Sequence, residues 1–229
     1  MIYITGDKHA DFHDIYEFCI NNKTSKDDII IILGDAGFNY YLDYRSDELK
    51  ESFRNIDITL FCVHGNHEEY PANIKSYKTK VFNGGIVYYE DKYPNILFAK
   101  DSEIYNLDNK DVLVIGGAYS VDRDIRKLMG YIWYESEQIT DDVKDIIREK
   151  LNKRLNKVDV ILSHTCPLKY IPLEALKVED QSKIDKSTEV FLDEIENNTQ
   201  YDKWYCGHYH IDKNIDKIRF MMYDIDRFE

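Results

Sequence analysis

The stretch "ITLFCVHGNHE", residues 58–68, contains the pattern that decides the fold of this chain. A short apolar run ends abruptly at His64, and glycine and polar side chains follow it. A run bounded in this way predicts a buried β-strand. The pattern recurs at "IYIT" before Gly6, "IIIIL" before Gly34, "VLVIGG" around Gly116, "VDVILS" before His164 and "KWYC" before Gly207. The loops after these strands collect the reactive side chains.

Between the predicted strands, apolar residues recur with helical spacing. Helices are therefore predicted at about residues 13–22, 46–55, 136–156 and 187–197. Residues 77–115 instead carry successive β-prone pieces, which predicts antiparallel hairpins that join a second sheet. Residues 213–226 predict a further hairpin or a returning strand. The expected fold class is α/β, with a mostly parallel portion, two packed sheets flanked by helices, and the strand-end loops at one concave edge.

The composition is that of an ordinary globular protein. Of the 229 residues, 43% are apolar, and no linker, low-complexity tract or repeat divides the chain, so one domain spanning residues 1–229 is expected. Cys19, Cys62, Cys166 and Cys206 lack C-x-x-C spacing and lie in or beside apolar stretches, which predicts buried free thiols. No signal-peptide pattern or membrane-spanning run is present in the sequence. A cytoplasmic protein without membrane contact is expected.

The formal charge of −13 comes from 43 acidic and 30 basic residues. This excess argues against a broad basic face that follows the phosphates of duplex nucleic acid. A small nucleotide remains compatible with the charge, because bound divalent cations make a local field positive. No sequence feature indicates an oligomeric state.

Candidate metal ligands follow the predicted strands. They are, in chain order, Asp7, His9, Asp35, Asn66, His164, His208 and His210. Oxygen and imidazole donors without a thiolate suit divalent Mn, Fe, Zn or Mg better than a structural zinc site built on cysteine. The seven donors exceed one tetrahedral site and fit two ions that share a bridging carboxylate.

Each of these features also has a structural alternative. Asp7 and His9 could form a turn and a helix cap, and His164 could be a structural histidine after a strand. His208 and His210 would point to the same face of an extended segment, yet an H-x-H pair alone is often satisfied by its neighbours.

The order of the blocks resembles the calcineurin-like metallophosphoesterase superfamily, whose motifs run D-x-H, G-D, G-N-H-E/D, a lone H and G-H-x-H. Here they read "GDKHAD", "GDAGF", "HGNHE", "SHTCP" and "CGHYH" and span residues 6–210. One block alone is weak, but five in order are specific. The resemblance implies a four-layer αββα double β-sandwich with a dinuclear centre. Block by block, it assigns Asp7, His9 and His210 to one ion, Asn66, His164 and His208 to the other, and Asp35 to the bridge.

The resemblance also implies a mechanism. Two ions clamp a phosphoryl oxygen and lower the pKa of a shared water, so that hydroxide attacks phosphorus in line. Asp35, as the bridge, belongs to this catalytic centre. His67 follows Asn66 but would point the other way along an extended chain. In the family this histidine faces the leaving group, which makes His67 the expected general acid.

The chain departs from the protein serine/threonine phosphatases of the superfamily. Those enzymes show GD-x-x-DRG and an arginine before GNHE, whereas "AGFN" follows Asp35 here and His64 precedes Gly65. Phe38 stands where the aspartate that orients the catalytic histidine would be. Activity of that type is disfavoured, and the chain is closer to small bacterial and phage-encoded members. Glu68 receives no ligand role and is expected to be solvated or to support a ligand from behind.

The block "GGAYSVDRDIRKLMGYIW" at residues 116–133 is similar to one found in some of those small members. Arginine suits bidentate contact with phosphate, so Arg123 and Arg126 are candidates for binding the scissile or a neighbouring phosphate. The alternative is a solvated loop whose arginines pair with Asp122 and Asp124.

The leading expectation is therefore a metal-dependent phosphoesterase that hydrolyses a phosphomonoester or phosphodiester of a small phosphorylated compound or nucleotide. Its expected cofactors are two divalent ions, with Mn first and Fe, Zn, Ni, Co or Mg as alternatives. A catalytically silent scaffold that binds a protein partner is disfavoured, because no ligand position is substituted. A redox or structural zinc protein is disfavoured, because no cysteine occupies a block position.

Overall fold

The structure, a computed structural model, describes residues 1–175 and 183–229. Within those ranges the strands are β1 (Ile2–Thr5), β2 (Ile29–Ile32), β3 (Thr59–Cys62), β4 (Lys78–Phe82), β5 (Gly85–Glu90), β6 (Tyr93–Ala99), β7 (Ile104–Leu107), β8 (Lys110–Ile115), β9 (Val160–Ser163), β10 (Lys203–Cys206), β11 (Lys213–Ile215), β12 (Ile218–Phe220) and β13 (Ile225–Arg227). The α-helices are α1 (His13–Asn22), α2 (Tyr44–Ser52), α3 (Arg123–Met129), α4 (Asp141–Lys153) and α5 (Ser187–Asn198). Short 3-10 turns lie at Pro71–Asn73, Glu135–Glu137, Leu168–Tyr170 and Leu173–Ala175.

The strands form two mixed sheets. The first has the order β13-β1-β2-β3-β6-β5-β4 and the second the order β11-β12-β10-β9-β8-β7. Their central strands are parallel: β1, β2, β3 and β6 in the first sheet, and β12, β10, β9 and β8 in the second. Antiparallel strands lie at the margins. The predicted fold class, two packed mixed sheets flanked by helices, is confirmed.

The central strands are buried on both faces. In β2, Ile29 and Ile31 pack into the layer between the two sheets, whereas Ile30 and Ile32 pack against the layer that contains Ile15 of α1. A strand that is covered on both faces has a continuous run of apolar residues in the sequence, because neither of its faces meets water. On the outer side of the second sheet, a third apolar layer includes side chains of α4 and α5. The four layers therefore follow directly from runs such as "IIIIL".

Residues 77–115 differ from the prediction in their sheet membership. β4, β5 and β6 are antiparallel neighbours, but β6 pairs with β3 and so extends the first sheet. β7 and β8 belong to the second sheet. The prediction that this region joins a second sheet is confirmed for β7 and β8 and was wrong for β4, β5 and β6, because short β-prone pieces do not show which partner they will pair with. The returning hairpin is present as β11 and β12, and β13 crosses back to pair with β1.

Capping residues set the helix bounds. α2 begins two residues earlier than predicted, after Asp43, whose carboxylate accepts a 3.0 Å hydrogen bond from the backbone N–H of Arg45. α4 begins after Thr140, which caps it by accepting from the N–H of Val143. Such side chains satisfy the free N–H groups of a first turn. The predicted helix at 136–156 is therefore shorter, and the 3-10 turn Glu135–Glu137 precedes it.

Two further expectations concern the thiols and membrane contact. All four cysteines lie in the described ranges and are buried and unpaired, as predicted. Within residues 1–175 and 183–229, no helix has the length and apolarity needed to cross a membrane.

Candidate metal centre

The loops after five parallel strands meet at one edge of the two sheets. In the first sheet β1 leads to Asp7, β2 to Asp35 and β3 to Asn66, and in the second β9 leads to His164 and β10 to His208. His164 Nε2 lies 2.8 Å from Asn66 Oδ1, so the two sheets are in contact here. Parallel strands with a common direction bring the residues after their carboxyl ends together. Donors far apart in the chain therefore share one site.

A first group of donors contains Asp7, His9 and His210. Asp7 is buried, and the two imidazoles are partly exposed. His9 Nε2 and His210 Nε2 are 2.9 Å apart, and they lie 3.7 and 3.4 Å from Asp7 Oδ2. One ligand atom from each of the three residues lies within 4.8 Å of the others. This spacing could hold one metal ion.

A second group contains Asn66, His164 and His208. Asn66 Oδ1 lies 2.8 Å from His164 Nε2 and 3.1 Å from His208 Nδ1. The amide nitrogen of Asn66 donates to Ser120 Oγ at 2.9 Å, which turns Oδ1 towards the two imidazoles.

Asp35 lies between the two groups. Its Oδ2 is 3.5 Å from His164 Nε2 and 4.0 Å from His9 Nδ1. Its Oδ1 accepts the backbone N–H of His67 at 2.8 Å. One carboxylate thus faces a histidine of each group, which is the position that a bridging ligand needs.

The hydrogen bonds of His164 test whether a cation fits. Its Nδ1 donates to the carbonyl oxygen of Leu33 at 2.7 Å, so in a neutral ring Nε2 carries a lone pair. That lone pair faces Asn66 Oδ1 and Asp35 Oδ2 in a fully buried place, which is unfavourable without positive charge. Burial by itself lowers the pKa of His164, but the carboxylates of Asp35 and Asp7 outweigh it and raise the pKa to about 9. A divalent cation with nitrogen and oxygen ligands meets the same demand for charge, so the residues fit a metal.

Asp7, Asp35 and His208 are in the protonation states that bind metals. Burial raises the pKa of Asp35, yet His164 and His67 outweigh it and hold the pKa well below its usual range. The pKa of Asp7 is also lowered, because His164 and His210 outweigh its burial. Burial, with His164 nearby, lowers the pKa of His208 to about 3. Ionised carboxylates and neutral imidazoles are the forms that ligate metal ions.

His208 and His210 do not lie on an extended strand, and that expectation was wrong. β10 ends at Cys206, and the two histidines have φ angles of 66° and 53°. The turn is held by the N–H of His208, which donates to Asp7 Oδ1 at 3.0 Å. Tyr209 turns away, and its hydroxyl lies 3.1 Å from Thr165 Oγ1. The turn therefore sends the two imidazoles to different donor groups.

Four of the seven donors have a left-handed backbone conformation. His9 and Asp35 also have positive φ, at 45° and 47°. A left-handed conformation costs a residue with a side chain roughly 1–2 kcal/mol. Strain of this kind persists where the surrounding structure imposes it, and it is common at functional sites.

Glycines leave the space that the donors occupy. A Cβ atom at Gly34 would lie 2.1 Å from His164 Nδ1, and one at Gly65 would lie 2.0 Å from Asp35 Oδ1. A Cβ atom at Gly207 would lie 2.1 Å from Asp7 Oδ1. The glycine in each of these blocks is thus required by close approach to a donor.

The sequence profile of the calcineurin-like phosphoesterases matches residues 1–212. The chain belongs to the calcineurin-like phosphoesterase family. The resemblance found in the sequence is thereby confirmed, and the protein is a phosphate-ester hydrolase. Members of this family generally use a centre of two divalent metal ions.

Two solved structures are similar to this phosphoesterase. A protein of unknown function from Aquifex aeolicus is 14% identical over 72% of this chain and 80% of that chain, with a TM-score of 0.33. A Staphylococcus aureus protein that carries the name of a candidate 5'-nucleotidase, solved in complex with α-ketoglutarate, is 15% identical with a TM-score of 0.43. The match covers 96% of this chain and 48% of the second protein, so the chain spans about half of that protein's length. No curated protein matches the chain.

His67 of the phosphoesterase lies beside the candidate centre and lines cavities on both sides of it. Burial lowers its pKa, and Arg126 adds to this effect, while Asp35 and Asp122 act in the opposite direction. The side chain of Phe38 cannot orient His67. Its ring is buried and stacks on the ring of Phe12, with the two centroids 4.8 Å apart.

The two candidate arginines of the phosphoesterase differ in position. Arg126 lines a cavity of about 390 Å³ together with His9, Asp35, His67 and His210. Arg123 instead lies over the ring of Trp133, 4.7 Å from its centroid, and it is not among the described residues that line the cavities beside the centre.

Glu68, for which the sequence indicates no specific role, lies behind Asp35 in the structure. The Glu68 side chain is fully buried, and its carboxylate accepts the N–H groups of Ala36, Gly37 and Asn39 at 3.1, 3.3 and 3.4 Å. Burial raises its pKa to about 8, with a further contribution from Asp35. Glu68 therefore holds the loop that follows the bridging position. The position of Glu68 at the end of the motif "GNHE" is the sequence feature that could have indicated this role.

Ser120, which no pattern in the sequence indicates, connects the 116–133 block to the centre of the phosphoesterase. Ser120 is buried, and its hydroxyl accepts from Asn66. Its own N–H donates to Glu137 Oε2 at 3.2 Å, and the same oxygen accepts from Trp133 Nε1 at 2.7 Å. The block reaches a candidate ligand through a serine, for which the sequence alone offers no specific signal.

Proposed function

We propose that this chain is a dinuclear metal-dependent phosphoesterase that acts on a small phosphorylated compound or nucleotide, with His67 as the proton donor. The observation that carries the proposal is the convergence of seven donors, from loops of both sheets, into two groups with Asp35 between them. Because each group draws on both sheets, we also propose that residues 1–229 form one domain.

The proposed ligands follow the two groups. Asp7, His9 and His210 would hold one ion, Asn66, His164 and His208 would hold the other, and Asp35 would contact both. Mn is proposed first, because a mixed set of carboxylate, amide and imidazole donors suits it, and Fe, Zn, Ni, Co and Mg accept the same donors. When bound, two such ions supply neutralisation of phosphoryl charge and a nucleophilic water of lowered pKa.

The remaining steps belong to the protein's own side chains. His67 is partly exposed and lies beside Asn66, so it can reach an ester oxygen and give it a proton as the bond to phosphorus breaks. Burial lowers the pKa of His67, and the carboxylates of Asp35 and Asp122 act in the opposite direction and favour the protonated ring. Arg126 would contact a phosphate oxygen, because its guanidinium is held in the wall of the same cavity by Asp122 and Tyr40.

Hydrolysis of 4-nitrophenyl phosphate and bis(4-nitrophenyl) phosphate tests the enzyme. The chain is stripped with a chelator and Mn²⁺ is added back, and bound metal is measured by elemental analysis. We expect activity that depends on Mn²⁺ and that Asp35→Asn abolishes, whereas the exposed Asp47→Asn on α2 keeps it. Absence of both bound metal and hydrolysis would refute the proposal and favour a silent scaffold.

His67→Ala tests the proton donor. The variant should keep its metal content and lose far more rate on phenyl esters than on 4-nitrophenyl esters, because a poor leaving group depends on protonation. His13→Ala is the matched control, since His13 is exposed on α1. Equal loss on both kinds of ester would remove this role from His67.

A further inference from the structure

Two cavities flank the candidate centre and share Asp35, His67 and His210 as lining residues. The tyrosine cavity, of about 390 Å³, is lined further by Ala10, Gly37, Tyr40, Tyr41 and Arg126. The valine cavity, of about 490 Å³, is lined further by Val121, Asp122, Tyr209 and Ile211, among others. Each is large enough for an organic group of a small ligand. The candidate centre is therefore open on two sides.

An ion pair stands between the two cavities. Arg126 lines the tyrosine cavity and Asp122 lines the valine cavity, and Arg126 Nε donates to Asp122 Oδ2 at 2.8 Å. The guanidinium also approaches the hydroxyl of Tyr40 at 3.4 Å and the carbonyl oxygen of Ile132 at 3.3 Å. These contacts fix the pair beside the centre. A substrate that fills both cavities must carry a substituent on each side of its phosphorus.

The cavity walls add little positive charge to that of the proposed metal ions. Among the described lining residues of both cavities, Arg126 is the one arginine or lysine, and Asp122 already pairs with it. A phosphomonoester carries nearly two negative charges near neutral pH, whereas a phosphodiester carries one. The carboxylate of Asp122 offsets the charge of Arg126 on this wall, and the apolar side chains of Val121 and Ile211 offer no hydrogen bond to a free phosphoryl oxygen.

The tyrosine cavity suits a planar group. The rings of Tyr40 and Tyr41 meet edge to face with centroids 4.7 Å apart. The guanidinium of Arg45 lies 3.7 Å from the Tyr41 centroid and braces this ring. Aromatic walls of this kind bind flat rings by stacking and edge contacts.

We infer that the substrate is a phosphodiester with a planar group in the tyrosine cavity and its second ester group in the valine cavity. This inference rests on the proposed function. In the reaction, the oxygen of water forms a new bond to phosphorus and gives up a proton to the solvent. One ester P–O bond breaks, and the leaving oxygen takes a proton from His67, which then regains a proton from the solvent. The products are a phosphomonoester and an alcohol.

The test compares diester with monoester in two ways, using the Mn²⁺-loaded full chain. The first is kcat/KM for bis(4-nitrophenyl) phosphate against 4-nitrophenyl phosphate. The second is calorimetric binding of diphenyl phosphate against phenyl phosphate, which does not depend on turnover. Burial of a second phenyl ring should favour the diester by about 10–100-fold in both comparisons.

Variants in the wall of each cavity show which cavity binds which ester group. Val121→Asn replaces an apolar side chain of the valine cavity by a polar one without adding charge, and should weaken diphenyl phosphate by about three- to tenfold while changing phenyl phosphate less. Tyr41→Ala should weaken both ligands, because both need a ring in the tyrosine cavity. Tyr44→Ala and Val190→Asn are the controls, since both side chains are exposed and lie outside the described linings.

A monoester preference, or equal response of both ligands to Val121→Asn, would overturn the inference, whereas hydrolysis of either ester would still support the proposed function. If neither ester is hydrolysed, the proposed function fails, and the binding comparison still decides whether the two cavities receive two groups.

Discussion

Removal of one hydroxyl group, in Ser120→Ala, should weaken one metal ion selectively. In the wild-type chain the buried Asn66 amide donates to Ser120 Oγ at 2.9 Å, and Oδ1 thereby faces His164 and His208. An unsatisfied buried donor costs about 1–3 kcal/mol, and loss of a group that orients a ligand typically costs about 10–100-fold in metal affinity, or about 1.4–2.8 kcal/mol. The unsatisfied donor lowers the stability of the chain with or without the ion, so the second figure sets the expected loss of affinity, about 10–100-fold for the ion at Asn66.

The assay is a competitive titration of Mn²⁺ against a chromophoric chelator, fitted to two sites, with elemental analysis after dialysis. The ion held by Asp7, His9 and His210 should keep its affinity within about threefold. Ser46→Ala is the control. Ser46 is also a buried serine whose hydroxyl accepts a hydrogen bond, in its case from the backbone N–H of Leu42, but it lies on α2. Unchanged affinities in Ser120→Ala, or equal loss of both ions, would refute the reasoning.

Four other predictions follow from the same contacts. Glu68→Ala leaves three loop N–H groups without their acceptor and should lower the free energy of unfolding in urea by about 2–5 kcal/mol. The control Glu48→Ala changes an exposed residue and should alter this free energy by less than about 0.5 kcal/mol. A similarly small effect of Glu68→Ala would contradict the role of Glu68 in holding the loop. Gly65→Ala places a Cβ atom 2.0 Å from Asp35 Oδ1 and should abolish activity, while Gly84→Ala, with open space around it, should cost only about 1–2 kcal/mol in thermal unfolding; an active Gly65 variant would be the contrary result. His210→Ala should release one ion far more than the other by elemental analysis, and equal release would disprove the division into two groups. Mn²⁺ at 100 times its Kd should stabilise the chain by about 2.7 kcal/mol for each occupied site in chemical unfolding, and an unchanged midpoint would argue against a preformed site.

The strand-end donors could be predicted because both parts of their signal are local. An apolar run such as "IIIIL" indicates a strand covered on both faces, and the glycine and acid after it mark the loop at its carboxyl end. Parallel strands then bring such loops together, so Asp7, Asp35 and Asn66 were predicted as neighbours without knowledge of the sheet order.

Ser120 and the choice between the arginines could not be predicted, because each depends on contacts distant in the chain. Ser120 meets Asn66 across 54 residues, and a serine in a loop has no distinctive neighbours in sequence. Arg123 and Arg126 are three residues apart on one short helix, so their helical positions are similar. Only the packing of Trp133 under Arg123, and of Tyr40 against Arg126, separates them.

The distribution of donors over the two sheets gives the centre a mechanical role. Asp7, His9 and Asn66 follow strands of the first sheet, and His164, His208 and His210 follow strands of the second. Each bound ion would thus act as a cross-link between the sheets, and the link between His9 and His210 closes a loop of 201 residues. Cross-links over long loops restrict the unfolded chain most. Metal loading should therefore also suppress shearing of one sheet over the other, far from any atom that reacts.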